Sequence, residues 1–309
     1  MQQYLETQLP NFVNKFKFMT YNIDQAMREE KYEETKWMNR KDRVAALIRD
    51  VNADIVCLQE MRQLPNSVTA NQFLGQFEEY FYEIAYRNPS LASFGQAILY
   101  KPTKFYPMKS VKKWLSTTPD KVSDSFSTKP GGSTGCGYIL QGIYFVPISD
   151  GKVITNAKGF WVFNTHYGLE EELKTRSCYV VKIAIEDITK GADYVLSGDF
   201  NLFPDRDGAM QRDILCQWKY PMQDLGKGAK TLKGKQVEGT FVGFEHDEFK
   251  ADLKNMISRL DHIFGSNNVI GTNPVLYTKT MLPQEPEELT TRQYPSDHLP
   301  IVIEIITSD

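Results

Sequence analysis

The chain has no Cys-x-x-Cys pair. Its four cysteines, Cys57, Cys136, Cys178 and Cys216, are widely spaced and mostly set among apolar residues, a pattern of reduced structural thiols rather than of a disulfide framework or a zinc site. No apolar run approaches the roughly 20 residues that a membrane-spanning helix needs, and residues 1–10 lack a basic-then-apolar leader, so a cytoplasmic protein without a transmembrane segment is expected. Positive charge is not in excess either. The net charge is −3, which gives no global attraction to a polyanion, so a nucleic acid or nucleotide must be held by local Lys and Arg or through a cation. Histidine is scarce, with only His166, His246, His262 and His298.

The remaining composition, 41% apolar and 24% charged over 309 residues, is that of an ordinary globular enzyme and shows no break along the chain. A single domain over residues 1–309 is expected, with residues 1–15 as a polar N-terminal arm.

Apolar strands in this sequence repeatedly end in polar residues. In residues 194–201, Val195 and Leu196 read as the end of a buried strand, Gly198 relieves the backbone, and Asp199 and Asn201 project together where the extended conformation persists. Residues 16–24 alternate and finish in Asn22 and Asp24. Residues 53–60 are nearly all apolar until Gln59 and Glu60, and residues 159–166 close on Asn164 and His166. Residues 258–264 alternate with Arg259, Asp261 and Ile263 on one face, and Asp297 and His298 sit in a Pro-flanked turn before a last apolar strand over 301–306. Carboxylate and amide oxygens of this kind suit a hard cation such as Mg²⁺ or Mn²⁺. Each pair alone is equally well a turn or a solvated strand end. Six such endings are not what a random surface gives.

Between these endings, apolar residues at helical spacing predict helices over 40–51 (Val44, Leu47, Ile48, Val51) and 169–189 (Leu173, Val181, Ala184, Ile185, Ile188). Residues 64–85 read as a loop and helix, and residues 96–100 and 138–148 as strands. Residues 111–137 are too polar and Gly-rich for core and read as a long loop, in which Trp114 either stacks on a substrate or plugs the loop base. Arg176, on the second helix, either reaches a phosphate or is paired at the surface. Residues 204–207 open a short helical segment. Lys227, Lys230, Lys233 and Lys235 form the one dense basic loop, and Phe241, in the aromatic-rich turn 239–244, either packs in the core or borders a pocket.

Taken in chain order, Thr-Tyr-Asn-Ile-Asp at 20–24, Leu-Gln-Glu at 58–60, Asn-Thr-His at 164–166, Gly-Asp-Phe-Asn at 198–201, Arg-Leu-Asp at 259–261 and Ser-Asp-His at 296–298 resemble the motifs of the endonuclease/exonuclease/phosphatase superfamily. These are the DNase I-like, metal-dependent phosphoesterases, and the resemblance runs from about Phe16 to Ile306. It implies an α/β four-layer sandwich, two packed mixed β-sheets flanked by helices, with the site where loops from both sheets converge. It also implies Glu60 as the main Mg²⁺ or Mn²⁺ ligand, with Asn22, Asp24 and Asp297 nearby as ligands or holders of the water around the ion. Asp199 would orient or deprotonate the attacking water, and Asn201 would place it. His166 and His298 would donate to phosphate oxygens, and Asp261 would orient His298. A second assignment makes His298 the base with Asp261 as its partner, and the sequence leaves both open.

The resemblance leaves the substrate open among phosphoesters. The Trp-x-Asp-Arg signature of inositol phosphatases is absent where residues 258–262 read Ser-Arg-Leu-Asp-His, and no export signal accompanies the site as it would in a secreted sphingomyelinase. A phosphodiester in a nucleic acid or a nucleotide is therefore the first expectation, with a phosphomonoester or a lipid headgroup as the alternative. A binding module with a vestigial site is the non-enzyme alternative, which the filled motif positions oppose. A monomer is expected.

Overall fold

The computed structural model describes residues 14–25, 32–62, 70–88, 93–123, 125–126, 137–154, 157–202, 208–217, 221–231, 239–244, 259–283 and 291–307. The polar arm up to residue 13, the Gly-rich run 131–135, residues 204–207, Lys233, Lys235, Cys136 and His246 lie outside these. In chain order the strands begin with β1 (Asn14–Asn22), β2 (Ile55–Arg62), β3 (Phe81–Tyr86), β4 (Phe94–Tyr100), β5 (Phe105–Trp114), β6 (Ile139–Ser149) and β7 (Lys152–Val153). They continue with β8 (Phe160–His166), β9 (Tyr194–Asp199), β10 (Gln223–Asp224), β11 (Lys230–Thr231), β12 (Asp261–Gly265), β13 (Ile270–Leu276) and β14 (Ile301–Thr307). Four α-helices among the described residues are α1 (Trp37–Val51), α2 (Ala70–Leu74), α3 (Glu171–Thr189) and α4 (Gly208–Cys216).

The strands form two mixed sheets, one in the order β11-β13-β14-β1-β2-β4-β3 and the other β10-β12-β9-β8-β6-β5, with β7 paired to β6. Side-chain alternation decides how they stack. Phe16 and Phe18 of β1 and Ile55 and Cys57 of β2 meet Ile143, Phe145, Phe160, Val162, Val195 and Ile263 of the other sheet in one apolar cluster. The intervening Met19, Tyr21, Val56 and Leu58 face the opposite way and pack against Val44, Leu47, Ile48 and Val51 of α1. On the far side, Trp161, Phe163 and Leu196 pack against Cys178, Val181 and Ile185 of α3. Helix, sheet, sheet, helix are the four layers, and a strand covered on both faces reads as a nearly continuous apolar run.

The inner faces carry a second message. Along β1 the inward residues run Phe16, Phe18, Thr20, Asn22; along β8 they run Phe160, Val162, Asn164, His166; along β9, Val195, Ser197, Asp199. Each strand is apolar for most of its length and turns polar at the same end of the sandwich. Below the outermost layer the polar residues staple the sheets together. Gln59 Nε2 donates to Thr20 Oγ1 (3.0 Å) and across to Asn164 Oδ1 (2.8 Å), while Asn164 Nδ2 donates to the carbonyls of Leu58 (2.9 Å) and Ala97 (3.0 Å).

Three expectations need correction. The described part of 64–85, from residue 70 on, holds the short α2 and then strand β3, an edge strand with a weak apolar pattern. Residues 111–114 belong to strand β5, whose Lys109, Lys112 and Lys113 mark it as an edge that water can reach rather than as a loop. Lys230 lies in the short strand β11 rather than in a loop.

Candidate active site

Three neighbouring strands of the second sheet set the first row of the site. The register pairs His166 with Asp199 and Asp199 with Asp261, so one row across β8, β9 and β12 carries an imidazole and two carboxylates. Gly198 makes this row possible. Its φ is +151°, and an added Cβ would stand 1.9 Å from the Thr165 carbonyl oxygen of the adjacent strand. The first sheet contributes Asn22 at the end of β1 and Glu60 in β2.

Glu60 owes its position to an irregularity. Since Gln59 points inward, plain alternation would send Glu60 outward, but the β2–β4 register shifts between Leu58 and Met61 and Glu60 adopts φ +58°. Asp24 (φ +45°) and Asn201 (φ +51°) are also left-handed, so three non-glycine residues at the ends of these strands hold backbone conformations that cost free energy. Such conformations persist where neighbours over-determine them. At Asn201 the backbone N–H donates to Asp199 Oδ1 (2.9 Å), the side-chain Nδ2 to the Tyr167 carbonyl (2.9 Å), and the carbonyl accepts from buried Lys174 Nζ (3.1 Å).

With Oδ1 of Asp199 held by Asn201, Oδ2 faces the centre. Asn22 Nδ2 donates to it at 2.9 Å and to Glu60 Oε1 at 3.1 Å. Two imidazoles point at the same oxygen: His166 Nε2 at 3.6 Å and His298 Nε2 at 3.7 Å. His166 Nε2 is also 3.9 Å from Glu60 Oε1. His298 Nδ1 lies 2.8 Å from Asp261 Oδ2, and Asp261 Oδ1 is buried with no hydrogen-bond partner among the described residues.

The surroundings drive the charges apart. Burial lifts the Asp199 carboxyl from the ordinary value near 3.8 to about 7; the His298 charge opposes this, nearby Asp261 adds to it, and the donors from Asn201 and Asn22 oppose it. Burial pulls His298 down, but the carboxylates of Asp261, Asp199 and Asp297 outweigh it and hold the ring well above its ordinary value. His166 goes the other way, well below, through burial and the positive charges of Arg87 and His298. Glu60, Asp199 and His166 bring ligand atoms within 4.8 Å of one another, as do Asp199, Asp261 and His298. The two carboxylates of the first group, Glu60 and Asp199, offer the oxygen donors that a hard divalent cation takes, and the Glu60 side chain is partly open to solvent.

The Endonuclease/Exonuclease/phosphatase family model matches residues 19–298, nearly the span from β1 to His298. The chain belongs to this family. Members of the endonuclease/exonuclease/phosphatase family hydrolyse phosphate esters. The chain is 27% identical over 289 residues to an uncharacterized protein of Acanthamoeba polyphaga mimivirus, with 93% of this chain and 98% of that one covered. It is similar in fold to an endonuclease/exonuclease/phosphatase from Bacteroides vulgatus (TM-score 0.71, 23% identity, 94% of this chain and 98% of that one). It is equally similar to the Bacteroides thetaiotaomicron mannosyl-6-phosphatase (TM-score 0.71, 21% identity, 94% and 98%).

Within this family member the remaining expected residues have other neighbours. Asp24 and Asp297 lie outside both ligand-capable groups found among the described residues. The Asp24 carboxylate is 3.2 Å from Arg40 Nη2 in a fully buried ion pair, and Asp24 N donates to Asn22 Oδ1 (3.0 Å). Asp297 is buried at the turn, where Ser296 Oγ approaches its Oδ1 at 3.3 Å. Trp114 is no stacking surface: it is 7% exposed, packs on Ala85 and Ile139, and spends its Nε1 donor on the Arg87 carbonyl (2.8 Å). Arg176 is half exposed and engaged by Glu172, one turn back on α3, with its guanidinium over Phe126. His262 stays out of the cluster, stacked on Phe264 and held neutral by burial and Arg259, with its pKa pushed down to about 3.

Two contributors, Arg40 and Arg87, escaped the sequence reading. Arg40 is fully buried on α1 and donates to the carbonyls of Ile23 (2.7 Å), Thr35 (2.7 Å), Asp24 and Pro295 (3.1 Å), tying the end of β1 to the turn that carries His298. Arg87 reaches His166 Nδ1 at 3.0 Å. Phe241, for which core packing and a pocket border were both open, is 37% exposed and stands edge-on to His298 with ring centroids 5.1 Å apart. An arginine on an otherwise apolar helical stripe, such as Arg40 beside Val44 and Leu47, is the one signal that could have been followed.

Proposed function

We propose that this protein is a divalent-cation-dependent phosphodiesterase acting on a nucleotide or nucleic acid by in-line attack of water. The observation that carries the reading is the convergence of Asp199 with two imidazoles in opposite electrostatic states, beside Glu60. Asp199, raised to about 7, takes a proton from the attacking water near neutral pH, with Asn201 fixing the carboxylate that does so. His298, held charged by Asp261, donates through Nε2 to a phosphoryl oxygen as negative charge builds there, and His166 donates from the other side. Glu60, with Asn22 beside it, would hold Mg²⁺ or Mn²⁺, whose charge polarises the phosphoryl oxygen when the ion is bound. Asp297 is assigned to the water around that ion, whereas the contacts of Asp24 favour a supporting role through Arg40.

The aromatic ring of Phe241 beside His298 supports a ring-bearing substituent on the phosphate, a nucleoside among them. A phosphomonoesterase is the second reading, supported by the likeness to the mannosyl-6-phosphatase. A panel of bis(p-nitrophenyl) phosphate, p-nitrophenyl phosphate, dinucleotides, mononucleotides and mannose 6-phosphate, each with Mg²⁺ and with EDTA, separates them. Diester hydrolysis that stops in EDTA is expected. Turnover confined to the monoesters replaces the first reading by the second, and turnover that survives EDTA removes the cation from both.

A further inference from the structure

We infer that Arg87 is a positioning residue that fixes His166 as an Nε2–H donor aimed at Asp199 and Glu60. The inference rests on the phosphoesterase reading for what the donor does, but not for which nitrogen carries the proton. Arg87 follows the last residue of β3, at the edge of the first sheet, and its guanidinium crosses to β8 of the second, where Nη2 lies 3.0 Å from His166 Nδ1. A guanidinium has donors only and does not deprotonate in proteins. Nδ1 must therefore be the acceptor, so the ring proton sits on Nε2. That nitrogen is 3.6 Å from Asp199 Oδ2 and 3.9 Å from Glu60 Oε1. His166 thus presents a hydrogen to the centre of the site and no lone pair with which to act as a base.

The arginine is built in for this contact. It is 6% exposed, its guanidinium carbon lies 4.0 Å from the Tyr138 ring centroid and 5.6 Å from that of Phe94, and Tyr138 also meets the His166 ring edge-on at 5.7 Å. Its backbone is pinned at both polar atoms: the N–H donates to the Phe94 carbonyl (2.8 Å) and the carbonyl accepts from Trp114 Nε1 (2.8 Å). Trp114 therefore acts on the site at second hand, through Arg87.

The test is the ring ¹⁵N spectrum of His166 in the metal-free, ¹⁵N-histidine-labelled protein, assigned by loss of its signals in His166→Asn. Expected for wild type is an acceptor-type shift at Nδ1 and a protonated-type shift at Nε2. An Nδ1–H tautomer, or a doubly protonated ring at pH 7.5, overturns the inference without any Arg87 variant. In Arg87→Met, which keeps bulk and removes the donors, the Nε2–H signature should give way to a mixture of tautomers; Arg87→Lys, which keeps a donor, should retain it. With the best substrate and Mg²⁺, Arg87→Met should lower kcat about ten-fold, the worth of one hydrogen bond to the transition state, with KM within about two-fold. An unchanged ¹⁵N signature in a folded Arg87→Met protein also overturns it. Should wild type hydrolyse no phosphoester, the proposed function fails while the tautomer result stands; should it hydrolyse one with His166 in the Nδ1–H form, only this inference fails.

Discussion

Two histidines face one oxygen of Asp199 from nearly equal distances, 3.6 Å for His166 and 3.7 Å for His298, yet their backings are opposite in charge. Behind His298 stands the Asp261 carboxylate at 2.8 Å, and behind His166 stands the Arg87 guanidinium at 3.0 Å. A carboxylate accepts, so it draws a proton onto His298 Nδ1 and favours the doubly protonated ring. A guanidinium donates, so it forbids that proton on His166 Nδ1 and keeps the ring neutral. The same residue type thereby gives a cation on one side of Asp199 and a neutral donor on the other. Two cations would repel one another across the Asp199 oxygen that both rings face, and two neutral rings would leave the buried Asp199 without an imidazolium beside it.

The largest effect expected is at the carboxylate they share. Asp199→Asn removes the proton acceptor while keeping the shape and the Asn201 contact, and turnover should fall roughly 10²- to 10⁴-fold, the usual worth of a positioned general base. Turnover above a tenth of wild type would hand the base role to another group, with His298 the nearest candidate. The supports of the two arms can be separated next. Arg40 holds the His298 turn through the Pro295 carbonyl and is paired with Asp24 at full burial, so Asp24→Ala leaves a buried guanidinium without that partner. A loss of about 3–5 kcal/mol in unfolding free energy is expected by urea denaturation. A variant of wild-type stability with weakened Mg²⁺ dependence would instead return Asp24 to the cation.

Much of this comparison was legible in the sequence, and the limits have physical causes. Strands buried on both faces announce themselves as apolar runs, so polar residues at their ends stand out once several recur; Asn22, Glu60, His166, Asp199, Asp261 and His298, which the fold brings together, were all marked this way. The backing of His298 was visible through the family resemblance, which pairs it with Asp261. The backing of His166 was not, because β3 and β5 are edge strands in which half-buried Glu83 and Lys112 and exposed Lys109 interrupt any apolar period. Arg87 lies one residue beyond β3 and Trp114 ends β5, so a contact made where two weakly patterned edges meet leaves no periodicity to read. Arg40 was hidden for another reason, since a charged residue on a helix is read as solvated unless its partners, here backbone carbonyls far away in sequence, are known.

The electrostatic half of the comparison predicts a dependence on pH. The His298 pKa is higher in the folded protein than the ordinary value near 6.5, so its pairing with Asp261 contributes stability that is complete below about 6.5 and is lost as pH rises through the folded value. Asp261→Asn should therefore destabilise by about 1.5–3 kcal/mol, the range for a charged hydrogen bond, at pH 6, and by progressively less towards alkaline pH. The ¹⁵N signature of His166 should not change. A stability difference that is flat from pH 6 to 9 would show that Asp261 acts on His298 by shape alone.

The smallest effect belongs to the residue that neither arm uses. Arg176 is the one arginine on α3, one to two turns after the site edge, and either a phosphate contact or a surface pair was expected of it. In the fold its guanidinium is about half exposed and occupied by Glu172 at i−4, a surface pair of the kind worth a few tenths of a kcal/mol. Lys174, two residues earlier, is the α3 side chain turned inward to the Asn201 carbonyl, and a helix cannot turn residues 174 and 176 to the same side. Arg176→Ala should leave kcat/KM within about two-fold and stability within about 0.5 kcal/mol of wild type, measured with the substrate and Mg²⁺ that give turnover in the panel. If KM rises ten-fold while kcat and stability hold, the substrate extends past the two histidines along α3, and the site is longer than the pair of arms around Asp199.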